Sequence, residues 1–131
     1  MSDREALPPG PHPSISPEQV VLIQLSALQR NDDPAPDSGI RAAFEFASPA
    51  NRLYTGPVER FIAMVKNPLY RSLLNFQDAT PFPIEIEGDR AQQRVALLDD
   101  DDEEIIYVFA LSRQQAEPYA DCWMTDGVIR L

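Results

Sequence analysis

The side chain with the clearest chemical potential is Asp126, near the C-terminal end of the chain. Residues 122–131 read as a β-strand, and successive side chains of a strand point to opposite faces. This alternation places two sets of side chains on opposite faces of the strand. One face carries Cys122, Met124, Asp126 and Val128, and the other carries Trp123, Thr125 and Ile129. If Met124 and Val128 face the interior, Asp126 does so too, and an enclosed carboxylate can serve as a general base.

Two interpretations of Asp126 stay open. In one, Asp126 is the base of a cavity enzyme, with Tyr54 donating a hydrogen bond to an oxyanion and Arg60 beside it. In the other, which we favour, Asp126 forms an ion pair that ties the last strand to the third helix, since structural ion pairs perturb carboxylates as catalytic ones do. We therefore expect no catalytic residue. The candidate partners are Arg52, Arg60 and Arg113.

A second concentration of polar side chains lies in residues 44–67, between and within two helical patterns. Asn51 follows Pro49 and is expected to cap backbone groups there. Arg52 could instead clamp a carboxylate or phosphate with two hydrogen bonds. If the fold has a pocket, this segment should form its rim with the last strand, through Asn51, Arg52, Tyr54, Arg60 and Asp126.

Other familiar chemistries find little support. The only histidine, His12, lies near the N-terminus, so residues 16–131 contain neither a Ser-His-Asp triad nor a histidine-ligated zinc site. Cys122 has no histidine to activate it and is expected to be a buried, inert thiol. The acidic run at 99–104 lacks the spacing of an EF-hand and suggests a hairpin turn. We predict no metal and no cofactor.

Composition bounds the class of protein. The chain has 131 residues, 44% of them hydrophobic, which suits a single globular domain. Its net charge of −10 disfavours nucleic acid and anionic membranes as partners. With one cysteine and no signal-peptide pattern, a cytoplasmic protein is expected. Residues 1–15 are Pro-rich and predicted to be a disordered tail, and residues 16–131 a single domain.

Three helices are expected before residue 68. The first begins with Ser16 as its cap and Pro17 in its first turn, and Gln19 completes a capping box. The second begins near residue 38 and ends before Pro49. The third follows a cap at Thr55 or residue 56 and stops before residue 68. A further short turn is expected at residues 70–74.

From residue 82 the pattern changes to strands. Residues 82–86 alternate, residues 90–98 follow a tight turn, residues 105–112 are apolar on both faces, and residues 122–131 close the chain. This order predicts an α+β fold in which three N-terminal helices pack on a curved antiparallel sheet of about four strands.

Four segments carry a resemblance: FASPANR, TGPVERF, NPLYRSLL and CWMTDGV. Together with the first helix, residues 16–130 resemble an uncharacterised family, of unknown function, of cyanobacteria, plants and some proteobacteria. The resemblance implies a nuclear transport factor 2-like (cystatin-like) cone, with helices in the concave side of the sheet, and hints at an auxiliary role in photosynthetic cells. That fold hosts enzymes, ligand binders and adaptors alike.

We expect a non-catalytic binding or assembly module that uses the cone pocket, the outer sheet face or both. Tyr107, Phe109 and Trp123 are the predicted interface anchors, and a homodimer through the sheet would cover the second apolar face of residues 105–112. A protein partner is expected and a small ligand is possible. The alternative is a small isomerase, dehydratase or hydrolase that uses Asp126.

Overall fold

The structure, a computed structural model, describes residues 10–131. Residues 1–9 of the predicted disordered tail lie outside the described residues. His12, the only histidine, is exposed. None of the helices within the described part of the chain has the length and apolar character needed to cross a bilayer.

Within residues 10–131 the helical half contains four α-helices, where three were predicted. Their bounds are α1 (Pro17–Gln29), α2 (Ser38–Phe44), α3 (Pro49–Thr55) and α4 (Val58–Val65), and a 3-10 turn follows at Arg71–Leu73. The start of α1 is as predicted: the Ser16 hydroxyl accepts a hydrogen bond from the amide of Gln19, and the Gln19 side chain accepts one from the amide of Ser16. This capping box satisfies two backbone donors that the helix leaves free.

The additional helix is α3, where the sequence suggested a turn. Pro49 does not end the preceding helix, because α2 already ends at Phe44; it occupies the first position of α3, where proline's missing amide costs nothing. Ser48 caps α3 by accepting a hydrogen bond from the amide of Asn51 at 3.2 Å. The predicted caps at Asn51 and Thr55 were therefore wrong: both residues lie within α3.

In the described part of the chain the sheet has five antiparallel strands: β1 (Asp78–Pro81), β2 (Glu85–Glu87), β3 (Arg90–Leu98), β4 (Glu104–Arg113) and β5 (Trp123–Arg130). The strand expected at residues 82–86 is present only from residue 85, as the start of β2, and β1 was not predicted. Both β1 and β2 pair with β3. β3 and β4 form the centre and β5 forms one edge. The α+β class is confirmed.

The helices pack on one face of the sheet, which we call the inner face. Along β4 every second side chain is buried there, including Tyr107, Phe109 and Leu111, against apolar residues of α1 such as Val21 and Leu25. Full burial of each such side chain contributes about 1.5–3 kcal/mol to stability. The alternate residues of β4, such as Ile106 and Val108, lie on the outer face and are only partly buried.

A β-bulge breaks the alternation of β5. Gly127 pairs with Ala110, but Leu111 pairs with Thr125, so Asp126 is an extra residue with no partner on β4. A bulge bends a strand and redirects its side chains. Thr125 and Val128 therefore both lie on the inner side, and the predicted set of alternating faces was wrong across this point.

Candidate functional site

A cavity of about 200 Å³ lies between the helices and the inner face of the sheet. Most of the side chains that line it are apolar. The lining comes from α1, α3, α4 and the sheet and includes Leu28, Phe61, Met64, Val65, Phe109 and Val128. An apolar cavity of about 150 Å³ can hold benzene, so this cavity has room for a somewhat larger aromatic or aliphatic group.

One wall of the cavity carries a small polar network that links a helix to the edge strand. The hydroxyl of Thr125 donates a hydrogen bond of 2.6 Å to Oε1 of Gln24, and Nε2 of Gln24 donates one of 3.1 Å to the carbonyl oxygen of Ala43. Nδ2 of Asn51 donates a hydrogen bond of 3.2 Å to the carbonyl oxygen of Thr125. These polar groups are engaged within the protein, so the network fixes the wall.

The same edge strand is held from its other side by the segment before α3. The amide of Thr125 donates to the carbonyl oxygen of Phe46 at 2.7 Å, and the amide of Ser48 donates to the carbonyl oxygen of Thr125 at 2.8 Å. Ser48 also caps α3. The position of α3 at the cavity is therefore fixed by backbone hydrogen bonds to β5.

Thr55 is the buried polar residue of the cavity whose side chain lacks a hydrogen-bond partner within residues 10–131. Its side chain is buried and lines the cavity, but its hydroxyl oxygen forms no hydrogen bond with residues 10–131. Buried hydroxyl groups without a partner are rare, because desolvation costs free energy that only a hydrogen bond returns. Thr55 therefore marks a point where a ligand or water could donate or accept a hydrogen bond.

Asp126 also lines the cavity, where it is the only charged residue among those described. It is partly buried and forms no ion pair or side-chain hydrogen bond with residues 10–131. The expected Asp–Arg pair was wrong, since Arg113 instead binds Asp89 at 2.7 Å. Because Thr125 and Val128 face inward, the bulge leaves the side chain of Asp126 on the outer side of β5, the side of Gly127.

Two residues of the cavity lining are largely exposed. Tyr54 of α3 and Ile129 of β5 both line the cavity, yet they are 89% and 59% exposed. Leu53, next to Tyr54, is 88% exposed. Ile129 pairs with Val108 and therefore points to the outer face of the sheet, whereas Tyr54 marks the mouth of the cavity on the side of α3.

Two predicted rim residues lie elsewhere. The guanidinium group of Arg52 lies over the ring of Phe44 at 4.7 Å and near that of Tyr119 at 5.7 Å. It donates hydrogen bonds of 3.0 Å to the carbonyl oxygens of Phe44 and Glu45, which end α2. Arg52 thus joins α3 to α2. Arg60 is exposed and packs against residue 56 outside the cavity lining.

The structure therefore brings together Asn51, Tyr54 and Asp126 of the predicted rim but not Arg52 or Arg60. For the alternative enzyme, Asp126 and Tyr54 both border the cavity and a neighbouring surface groove, whereas Arg60 borders neither. Tyr54 points its ring largely into solvent, so it is not positioned as an enclosed hydrogen-bond donor.

The predicted interface anchors are in the interior. Tyr107 and Phe109 are fully buried on the inner face of β4, and Trp123 is partly buried against the core. The Tyr107 hydroxyl donates a hydrogen bond of 2.8 Å to the carbonyl oxygen of Leu69, and burial raises the pKa of the Tyr107 phenol. The placement of Tyr107 and Phe109 at an interface was wrong, because the larger side chains of this two-faced strand point to the helices.

The acidic run and the cysteine have structural explanations. Asp99, Asp100 and Asp101 have carboxylate oxygens within 4.8 Å of one another. The Asp99 carboxylate accepts hydrogen bonds of 2.9 Å from the amides of Asp101 and Glu103, as expected for a residue that shapes a hairpin turn. Cys122 is buried, and burial raises the pKa of its thiol.

Sequence reasoning missed the polar wall of the cavity. Gln24 lies three or four residues from Val20, Val21 and Leu28, which is the spacing of one helix face. That spacing could have identified Gln24 as buried. Thr125 and Thr55 had no such signal, because the bulge and the start of α3 were not predicted.

Comparison with known families gives one match. A family described as "Domain of unknown function (DUF4864)" matches residues 14–131. Comparison with curated proteins and with solved structures gives no match. The predicted membership in an uncharacterised family is confirmed, with nearly the predicted boundaries.

Proposed function

The chain belongs to this family of unknown function, and we propose that it is a binding module whose cavity takes a small, mainly apolar ligand. The observation that carries the proposal is the buried Thr55 hydroxyl, which faces an apolar cavity without a hydrogen-bond partner among residues 10–131. Ligand sites commonly combine an apolar lining with a few polar groups that fix orientation.

The arrangement of the cavity supports a ligand with two parts. Its apolar part would contact Phe61, Val65, Phe109 and Val128 in the interior. A hydroxyl or amide group on it would pair with Thr55 and return the free energy lost when that hydroxyl is buried. The expected affinity is modest, with Kd on the order of 0.1 mM for a ligand of about ten non-hydrogen atoms.

The test is a titration of the full chain with 2-naphthol, followed by protein fluorescence or calorimetry. Val128→Phe, which fills the cavity from the inner side of β5, should weaken binding at least tenfold. Val58→Phe is the matched control, because Val58 lies on α4 outside the cavity lining. Equal affinity of wild type and Val128→Phe would place the probe elsewhere and contradict the proposal.

The same geometry supports the nuclear transport factor 2-like cone as the architecture. In support, the helices pack on one face of an antiparallel sheet and leave a cavity between the two layers. A solved structure of the chain, compared with members of that fold, would test this assignment. A sheet that does not curve around the helices would contradict it.

A second candidate function is self-association through the outer face of the sheet. This face carries a strip of partly exposed apolar side chains, namely Ile106, Val108 and Ala110, and Arg90 and Arg94 lie beside the strip on β3. A second copy would cover the strip and could set these arginines against acidic residues such as Glu85 and Glu87.

Sedimentation of the full chain tests this second function. We expect a dimer for wild type and a monomer for Val108→Glu, because the new carboxylate would be buried without a partner. Ser26→Glu, on an exposed position of α1, adds the same charge on the helical side and should leave the dimer intact. A wild-type protein that stays monomeric at high concentration would contradict self-association.

A further inference from the structure

We infer that the cavity takes an apolar side chain of an extended peptide, which pairs with the open edge of β5, residues 127–130. This inference rests on the proposed function and names the kind of partner that the same cavity binds. Its basis is the hydrogen-bond pattern of the strand. In an antiparallel pair, the backbone groups of successive residues point alternately toward the partner strand and away from it.

Val128 and Arg130 turn their backbone groups away from β4. The amide of Leu131 donates a hydrogen bond of 2.9 Å to the carbonyl oxygen of Ile106, so residue 131 faces β4. Residues 127–130 pair with β4 in unbroken register, so residues 129 and 127 face β4 as well and the two residues between them face the open edge. No backbone group among residues 10–131 pairs with them on that side.

The preceding part of the same edge already pairs with an added chain segment. The amide of Thr125 donates to the carbonyl oxygen of Phe46, and the amide of Ser48 donates to the carbonyl oxygen of Thr125. Ala47 thereby forms an isolated bridge with Thr125. The chain then turns into α3, so the open edge continues an edge that is already extended. Unpaired strand edges are templates for a further extended chain.

The cavity reaches the open edge. Val128 points to the inner face, whereas Gly127 and Ile129 belong to the outer side of β5. All three residues nevertheless line the cavity, so the cavity extends to the backbone of the strand. The exposed Tyr54 lines it from the side of α3. A peptide residue opposite Val128, with the two Cα atoms about 5.5 Å apart, would point its side chain to the inner face and into the cavity.

The charges beside the open edge favour a basic peptide. Asp126 lies on the outer side of β5 and forms no ion pair with residues 10–131. Arg90 borders the same two surface grooves, but the larger groove also contains Glu85 and Glu87. The net charge of −10 attracts cationic partners. A basic residue next to the apolar one would point to the outer side, toward Asp126.

The test titrates the full chain with the peptide acetyl-Thr-Val-Phe-Lys-Thr-amide and follows binding by calorimetry. The phenylalanine of the peptide should exchange both hydrogen bonds with Val128, and the peptide should displace 2-naphthol. N-methylation of the phenylalanine nitrogen removes a donor that faces β5 and should weaken binding about tenfold. N-methylation of the lysine nitrogen, which faces away from β5, is the matched control and should leave the affinity nearly unchanged.

A pair of protein variants makes the corresponding change in the chain. Arg130→Pro removes the amide that faces the open edge, and an edge strand tolerates proline at such a position. Arg130→Ala keeps this amide and is the control. Arg130→Pro should bind the peptide about fivefold more weakly than Arg130→Ala. Both variants should bind 2-naphthol equally, because Arg130 does not line the cavity.

Equal affinities of the two N-methylated peptides would overturn the inference, because binding would then not follow the alternation of a strand. Equal peptide affinities of the two folded Arg130 variants would overturn it as well. A peptide that fails to bind, or binds without displacing 2-naphthol, would overturn the inference while the proposed function stands. If neither the peptide nor 2-naphthol binds, the proposed function fails and the inference fails with it.

Discussion

Replacing Thr55 with valine should stabilise the protein in the absence of a ligand. Valine has the shape of threonine without its hydroxyl, and the Thr55 hydroxyl is buried with no partner among residues 10–131. An unpartnered buried hydroxyl costs about 1–3 kcal/mol. Removing the hydroxyl should raise the free energy of unfolding by about 1 kcal/mol, at the low end of this range. The gain is at the low end because relaxation of the cavity wall already offsets part of the cost in the wild type.

The matched control is Thr125→Val, the same substitution in the same cavity wall with the opposite expected sign. The Thr125 hydroxyl donates a 2.6 Å hydrogen bond to Gln24 in the interior. Its removal leaves the buried Oε1 of Gln24 without its donor, which should lower the free energy of unfolding by about 1–3 kcal/mol. Threonine and valine are both β-branched, so backbone preferences change little in either variant.

Urea denaturation followed by circular dichroism measures both changes. For a slope of about 1.5 kcal/mol/M, a stabilisation of about 1 kcal/mol moves the midpoint up by roughly 0.7 M. The slopes should be the same in all three proteins, so that the midpoints report stability alone. A destabilisation by Thr55→Val as large as that of Thr125→Val would show that the Thr55 hydroxyl is satisfied in solution, and would refute the reasoning.

Three further predictions concern the rest of the fold. Burial raises the pKa of the Cys122 thiol. A disulfide reagent near neutral pH should therefore label Cys122 at least a hundredfold more slowly in the folded chain than in urea. Rapid labelling of the folded chain would contradict the burial of Cys122. The hydrogen bond from the backbone amide of Glu103 lowers the pKa of Asp99, so Asp99→Asn should reduce stability near neutral pH. The loss of stability should be present above the ordinary pKa of aspartate and should vanish as the pH falls through the lowered pKa of Asp99. A loss of stability that persists in acid would contradict this origin. A Cβ on Gly39 would lie 2.1 Å from the carbonyl oxygen of Ala27. Gly39→Ala should therefore lower the free energy of unfolding, measured by urea denaturation, by about 3 kcal/mol. An unchanged free energy of unfolding would show that α1 and α2 can move apart to make room for the methyl group.

The elements that local patterns specify were predictable. The α1 start follows from Ser16, Pro17 and Gln19, which form a capping box without help from the rest of the fold. The bounds of β3 follow from its alternation and from the turn before it. In both cases the information lies within a few neighbouring residues, so sequence alone is sufficient.

The candidate site depends on features that local patterns do not specify. Pro49 can follow a helix or begin one, and only the end of α2 at Phe44 decides which. The bulge at Asp126 changes the faces of β5 through pairing with β4, which is a long-range property. Gly127, which follows the bulge, was the one available hint of irregularity. For β4, both faces are apolar, so the choice of inner face required the helices.

The central claim is that the cavity between the helices and the inner face binds a small apolar group. The most direct test is a nuclear magnetic resonance measurement of intermolecular contacts between 2-naphthol and the methyl groups of the full chain. We predict contacts from the aromatic protons to Val65 and Val128, which line the cavity. Contacts confined to Ile106 and Val108 on the outer face, or no contacts at all, would contradict the claim.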